Sequence, residues 1–305
     1  MYSTLAIRSL RLRPGGWTRS SCAVVQVSHW QTRWNSTAQR LATGEFCYLE
    51  ELSKENEGIS VLNMNRPKAK NAISVQFLKE FRQCLDVLRY ERPSRVVILR
   101  SLVDGVFCAG ADLKERATMT NPEVKRFLGT LRQTFCDLET LPVPTIASID
   151  GAAFGGGLEM ALCCDMRVGG IHAKVGLTET GLAIIPGAGG TQRLPRLIGL
   201  SKAKELIYTA HICHADEAER IGLLNYAAPQ ESSYDKALEL GRRIIPKGPI
   251  AIKMAKQALD QGVQLDLNSA LTVEQLCYAQ VIPTEDRLEG LRAFREKRTP
   301  VYKGQ

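Results

Sequence analysis

A short β-prone run leads into three consecutive glycines and an acidic residue: Thr145-Ile146-Ala147-Ser148-Ile149 is followed by Gly155-Gly156-Gly157-Leu158-Glu159. A strand entering a glycine turn that opens a helix is a building unit of α/β proteins. The rest of the chain repeats the alternation. GISVLNMN over residues 58–65 reads as a strand ended by Arg66-Pro67, and RVVIL over 95–99 and MRV over 166–168 read as two more. Ser74 is placed to cap a helix whose apolar stripe is Phe77, Phe81, Leu85 and Leu88, and Asn121-Pro122 opens another with Val124, Phe127, Leu128, Leu131 and Phe135 on one face. From about Tyr234 the pattern is helical, with helices expected from Pro249 to Gly262, Leu267 to Ile282 and Thr284 to Lys297. Periodicity predicts an α/β core but does not separate a doubly wound sheet from a repeated ββα spiral.

A second glycine-flanked glutamate, Glu179, follows Gly176-Leu177-Thr178 and precedes PGAGGT over residues 186–191. Two carboxylates on glycine turns suit the addition of water across a polarised double bond, where one deprotonates water and the other protonates carbon. Bare glycine backbone lets N–H groups approach a substrate oxygen. Each feature alone has a plainer reading. The glycines could serve only a tight turn, and Glu159 could be an exposed first-turn residue that favours the helix dipole. The ordered combination with Ala109-Gly110-Ala111-Asp112 is more specific.

That combination resembles the crotonase (enoyl-CoA hydratase/isomerase) superfamily, over about Gly44 to Gln305. FCAGADLKER at 107–116, LAIIPG at 182–187, GTQRLP at 190–195, CYAQ at 277–280 and FREKR at 294–298 are most similar to its mitochondrial methylglutaconyl-CoA hydratase branch, also described as AU-rich-RNA-binding. The resemblance implies a ββα spiral over 44–233 and a C-terminal helical trimerisation region over 234–305. It implies Glu159 as general base, Glu179 as general acid, and the N–H groups of Ala111 and Gly156 as an oxyanion hole. Gly187 N–H is expected to help position water. Ala69, Lys70, Ala109, Ala111, Asp112, Leu113, Lys114 and Lys297 are the candidate CoA contacts, with a surface-loop role the alternative for the Asp112 and Lys114 side chains. The implied reaction is hydration of a 2-enoyl-CoA, with 3-methylglutaconyl-CoA of leucine degradation as best substrate. The alternatives are a general short-chain hydratase, a related hydratase-domain protein, and an RNA-binding protein with residual activity. CoA belongs to the substrate, no other cofactor is implied, and a homotrimer or homohexamer is.

Composition locates the basic charge. Of 40 lysines and arginines, six arginines fall within residues 1–44, where there is no Lys, Asp or Glu. The remaining 34 basic residues face 32 acidic ones, so the formal charge of +8 shrinks to about +2 downstream. An arginine- and serine-rich, acid-free start predicts a mitochondrial transit peptide over 1–43 and a matrix location. Between Asn71 and Arg95, Lys79, Arg82, Arg89, Arg92 and Arg95 alternate with Glu80, Asp86 and Glu91, a mixed face that weighs against an RNA-binding stripe. No apolar run approaches a membrane span. The nine cysteines form no CxxC pair, which fits free thiols. His211 and His214 flank Cys213 without the rest of a zinc constellation, and no GxSxG elbow accompanies the few histidines. Scarce histidine leaves acid–base chemistry to the carboxylates.

Overall fold

The computed structural model describes residues 39–91, 94–228, 230 and 232–305. The expected leader lies outside them up to residue 38, and its last five positions form a strand. The strands are β1 (Gln39–Thr43), β2 (Cys47–Glu51), β3 (Ile59–Met64), β4 (Val96–Ser101), β5 (Val106–Cys108), β6 (Thr145–Ile149), β7 (Ala152–Phe154), β8 (Met166–Gly170), β9 (Lys174–Gly176), β10 (Cys213–His214) and β11 (Tyr226–Ala228). The helices are α1 (Val75–Asp86), α2 (Leu113–Ala117), α3 (Asn121–Glu139), α4 (Gly156–Ala161), α5 (Gly190–Ile198), α6 (Leu200–Tyr208), α7 (Ala215–Arg220), α8 (Ser233–Ile244), α9 (Pro249–Gly262), α10 (Leu267–Val281) and α11 (Glu285–Glu296).

Two sheets share these strands. The larger has the order β1-β2-β3-β4-β6-β8-β11, antiparallel at β1, β2 and β3 and parallel from β3 onward. The smaller has the order β10-β9-β7-β5. Consecutive pairs β4/β5, β6/β7 and β8/β9 each place one strand in the large sheet and the next in the small one. Helices return the chain to the large sheet after β5 and β7, so the repeat is a ββα spiral.

The spiral follows from burial on both strand faces. All of β3 and β6 and the Val96–Leu99 part of β4 are buried, as parallel strands covered by helices require. The Ser74 hydroxyl accepts the Phe77 N–H and starts α1, whose Phe77 and Phe81 are fully buried with ring centroids 6.1 Å apart. Each such burial contributes roughly 1.5–3 kcal/mol. Helix α3 contributes Phe127, Leu131 and Phe135 to the same core. Helix α8 packs Tyr234, Ala237, Leu238 and Leu240 against Ile59, Val61, Val96 and Ile98, in a second cluster. Residues 233–244 therefore pack with the sheet rather than with the later helices.

Lys256 of α9 ties the tail to the strand that feeds the glycine turn. Its ammonium donates to Asp165 (2.8 Å) and to the Val143 carbonyl (3.1 Å), and Asp165 accepts the Thr145 N–H at the start of β6. The described cysteines are free thiols, all buried except Cys136. His211 and Cys213 do come together, with Glu217 rather than His214 as third neighbour. The His211 ring lies 3.1 Å from both Glu217 oxygens, an ordinary imidazole–carboxylate contact. Among the described residues no helix is long and apolar enough to cross a membrane.

Candidate active site

The glycine turn after β7 carries the first carboxylate inward. Glu159 sits in the first turn of α4 and is only 3% exposed, against the plain reading of a solvated helix start. Its Oε1 accepts two backbone N–H groups, Ala188 and Gly190, both at 2.8 Å. These come from the PGAGG segment. Gly189 has φ +111°, where an L side chain is strained, and opens α5 with N–H groups aimed at Glu159. Arg193 holds the segment from outside: it donates to the Ala188 carbonyl (3.1 Å) and pairs with Glu139 (2.6 Å).

Glu179 begins a single 3-10 turn (Glu179–Leu182) directly after β9 and Thr178. It packs on the bare backbone of Gly155, where an added Cβ would stand 3.0 Å from its Oε1. Its Oε2 is buried without a hydrogen-bond partner. An unsatisfied buried carboxylate oxygen is costly and rare, and marks a place where a ligand or water belongs.

The electrostatics separate the two acids. Burial pushes both up, but Glu159 is opposed by its two N–H donors and by the charges of Arg193 and Arg132. Glu179 has no side-chain donor, feels the Glu159 charge, and is pushed up to about 7, chiefly by burial. Both carboxyls therefore lie above their ordinary range, but only Glu159 has donors and cations that favour its charged form, an asymmetry that suits acid–base division. A stability signature follows. The folded pKa of Glu179 lies above its ordinary 4.5. Between those values the native state holds more protons than the unfolded chain and loses stability as pH rises. Glu179→Gln removes this loss. Melting temperatures measured across pH are expected to show the variant gaining on wild type between about pH 4.5 and 7 and staying above it beyond.

Ala111 and Gly156 bring their N–H groups together. A Cβ on Gly156 would stand 3.6 Å from the Ala111 nitrogen and 3.3 Å from Ile73 Cδ1. Neither N–H donates to any acceptor among the described residues. The loop before them is held by Asn71, whose side chain accepts the Arg66 N–H (2.7 Å) and donates to the Phe107 carbonyl (2.9 Å). Lys70 O then accepts the Ala109 N–H, and Ile73 pairs with Gly110 and Asp112 through its N–H and C=O.

Ala109, Ala111, Leu113, Gly156, Glu159, Glu179 and Gly187 line one cavity of about 530 Å³. Lys70 adjoins it through the Ala109 bond, with Ala69 beside it, while Lys114 is exposed on α2. Asp112 has structural work: it caps α2 at Glu115 N–H (3.2 Å) and pairs with Arg66 at 2.7 Å, which holds its carboxyl low despite burial. Lys297 caps α11 in the left-handed region and does not line this cavity. At Gly187 the engaged group is the carbonyl, which accepts from Arg132 Nε at 2.6 Å. Sequence reasoning missed Arg132, Leu128 and Leu131 of α3, which line the cavity, and the N–H groups of Ala188 and Gly190. The α3 stripe was visible, but which part of it borders a cavity depends on how α3 lies against the 182–188 loop. Of the basic residues near α1, Arg89 donates to the Asp137 carbonyl, and Arg95 to the carbonyls of Ile245 and Lys247.

A ββα spiral carrying one buried and one half-buried carboxylate on one cavity is the crotonase architecture. The chain belongs to the enoyl-CoA hydratase/isomerase family, whose model matches residues 54–305. It is 50% identical over 272 residues to the human protein named methylglutaconyl-CoA hydratase, mitochondrial, covering 88% of this chain and 80% of that protein. It is 52% identical over 260 residues to an Arabidopsis thaliana protein named probable enoyl-CoA hydratase 2, mitochondrial, covering 85% and 86%. The crystal structure of an enoyl-CoA hydratase from Bacillus anthracis superposes with a TM-score of 0.80 at 44% identity, covering 88% of this chain and 99% of that one.

Proposed function

We propose that this protein is a hydro-lyase that adds water to a 2-enoyl-CoA, with 3-methylglutaconyl-CoA as substrate and 3-hydroxy-3-methylglutaryl-CoA as product, in leucine degradation. The observation that carries the reading is the placement of Glu179, whose buried Oε2 has no hydrogen-bond partner, on the lining of the cavity that also holds Glu159, Ala111 and Gly156. In this reading the thioester carbonyl oxygen sits on the N–H groups of Ala111 and Gly156. Glu159 takes a proton from water as its oxygen bonds to C3. The thioester becomes enolate-like, and Glu179 gives its proton to C2 as the carbonyl re-forms. Two preorganised donors on a developing oxyanion are worth a few kcal/mol each.

The segment from Ala109 to Lys114, with Ala69 and Lys70 beside it, is the proposed seat of the CoA chain. CoA arrives with the substrate, and no further cofactor has a step in this chemistry. The acid-free, arginine-rich start and the names of the relatives support a mitochondrial protein, and the matrix is the compartment proposed from the leader. Exposed Leu259, Val263, Leu267 and Phe294 on the last helices, with Phe294 87% exposed, support assembly into a trimer or hexamer. Arg89 and Arg95, engaged by the protein's own carbonyls, weaken the RNA-binding alternative. Hydration of 3-methylglutaconyl-CoA and crotonyl-CoA, followed side by side as loss of enoyl-thioester absorbance, tests the substrate. A kcat/KM preference of at least about a hundredfold for methylglutaconyl-CoA is expected. Preference for crotonyl-CoA would make this a general short-chain hydratase.

A further inference from the structure

A methylglutaconyl chain ends in a carboxylate, and a mostly apolar cavity would exclude that charge unless something pairs with it. The cavity lining carries two cationic side chains, Arg116 and Arg132. Arg116 follows the Ala111–Leu113 segment by a single helical turn and lies over the Phe127 ring, 5.9 Å from its centroid. It shares α2 with Leu113, next to the proposed thioester seat at Ala111.

Arg132 is placed differently. One peptide group, between Gly187 and Ala188, is gripped from both ends. Arg132 Nε donates to its oxygen at 2.6 Å, and its N–H donates to Glu159 Oε1 at 2.8 Å. The guanidinium therefore lies within roughly 8 Å of the Glu159 oxygen, given the span of one peptide unit. A water held by Glu159 attacks C3, and the terminal carboxyl carbon is only two bonds beyond C3. It falls in the same region. The Gly187 bond fixes the guanidinium through Nε, and among the described residues neither Nη group has an acceptor. Two parallel N–H donors held in a plane match a carboxylate. Leu128 and Leu131 of the same helix line the cavity beside Arg132, which is itself exposed, so the guanidinium is the cation that a carboxylate meets past the apolar lining.

Resting on the reading given under Proposed function, we infer that Arg132 is the specificity-determining residue that receives the terminal carboxylate of a dicarboxylic 2-enoyl-CoA. The Gly187–Ala188 peptide couples that recognition to Glu159.

The test uses the full chain as wild type, Arg132→Gln and Arg132→Lys, each assayed with 3-methylglutaconyl-CoA and crotonyl-CoA. Gln keeps an N–H donor for Gly187 and removes the charge, while Lys keeps the charge and removes the planar fork. For Arg132→Gln, kcat/KM on methylglutaconyl-CoA is expected to fall at least about a hundredfold, with crotonyl-CoA falling less than about tenfold. Arg132→Lys is expected to retain an intermediate preference. If Arg132→Gln keeps the wild-type preference, the role of Arg132 is overturned and the substrate reading stands. Equal losses on both substrates in both variants would assign Arg132 to support of the Gly187 loop alone, which also overturns the inference. A wild-type enzyme with no preference for methylglutaconyl-CoA would overturn the substrate reading, and this inference with it.

Discussion

Glu159→Gln is expected to lower kcat for hydration by about 10²- to 10⁴-fold while KM moves by less than about tenfold. The substitution keeps the shape and one carbonyl-type oxygen, which can still accept the Ala188 and Gly190 N–H groups that now bond Oε1 at 2.8 Å. What it removes is the proton-accepting charge. Burial still holds the Glu159 carboxyl above its ordinary range, and two N–H donors and two arginines act against that burial in favour of the charged form. Steady-state kinetics with circular dichroism as a fold control checks the result. A kcat within tenfold of wild type in a folded Glu159→Gln would remove Glu159 from the mechanism.

Gly156→Val is expected to cut kcat/KM by about 10²- to 10³-fold or more, the range found when one oxyanion donor is lost. Any Cβ at this position points into the space beside the Ala111 nitrogen and 3.3 Å from Ile73 Cδ1. The further methyls of valine would enter the place proposed for the thioester oxygen. Burial of α4 makes some loss of stability certain, so kinetics should be read at a temperature where the melt shows the variant fully folded. Loss of catalysis with intact folding supports the donor pair. Retained catalysis would mean that the substrate oxygen lies elsewhere.

Much of this architecture is written in patterns long enough to read. Helix α9 runs from Pro249 to Gly262 because proline suits the first turn and glycine lets the last one end, and those are its observed limits. Ser74, Phe77, Phe81 and Leu85 take the places their spacing predicts. The small sheet was not legible, since β5, β7 and β9 have three residues each and no period shows in three residues. The helices α5, α6 and α7 were likewise missed, as short segments between glycines. At the site, Glu159 and Glu179 stood out because acids beside glycine clusters are unusual. The groups that tune them did not. Ala188 and Gly190 act through backbone N–H, which no side chain announces, and Arg132 has the sequence appearance of a solvated helix position. Their roles arise only when the 182–190 segment folds across α3 and α4.

In the proposed mechanism two carboxylates in one cavity deliver water to C3 and a proton to C2 of an enoyl thioester. That delivery is tested most directly by letting the full chain convert 3-methylglutaconyl-CoA in D2O and locating the label in the product by NMR. The expected product carries a hydroxyl on C3 and a single non-exchanging deuterium on C2, set by the proton that Glu179 gives. Deuterium on C4 with a displaced double bond, or no hydrated product, would contradict it.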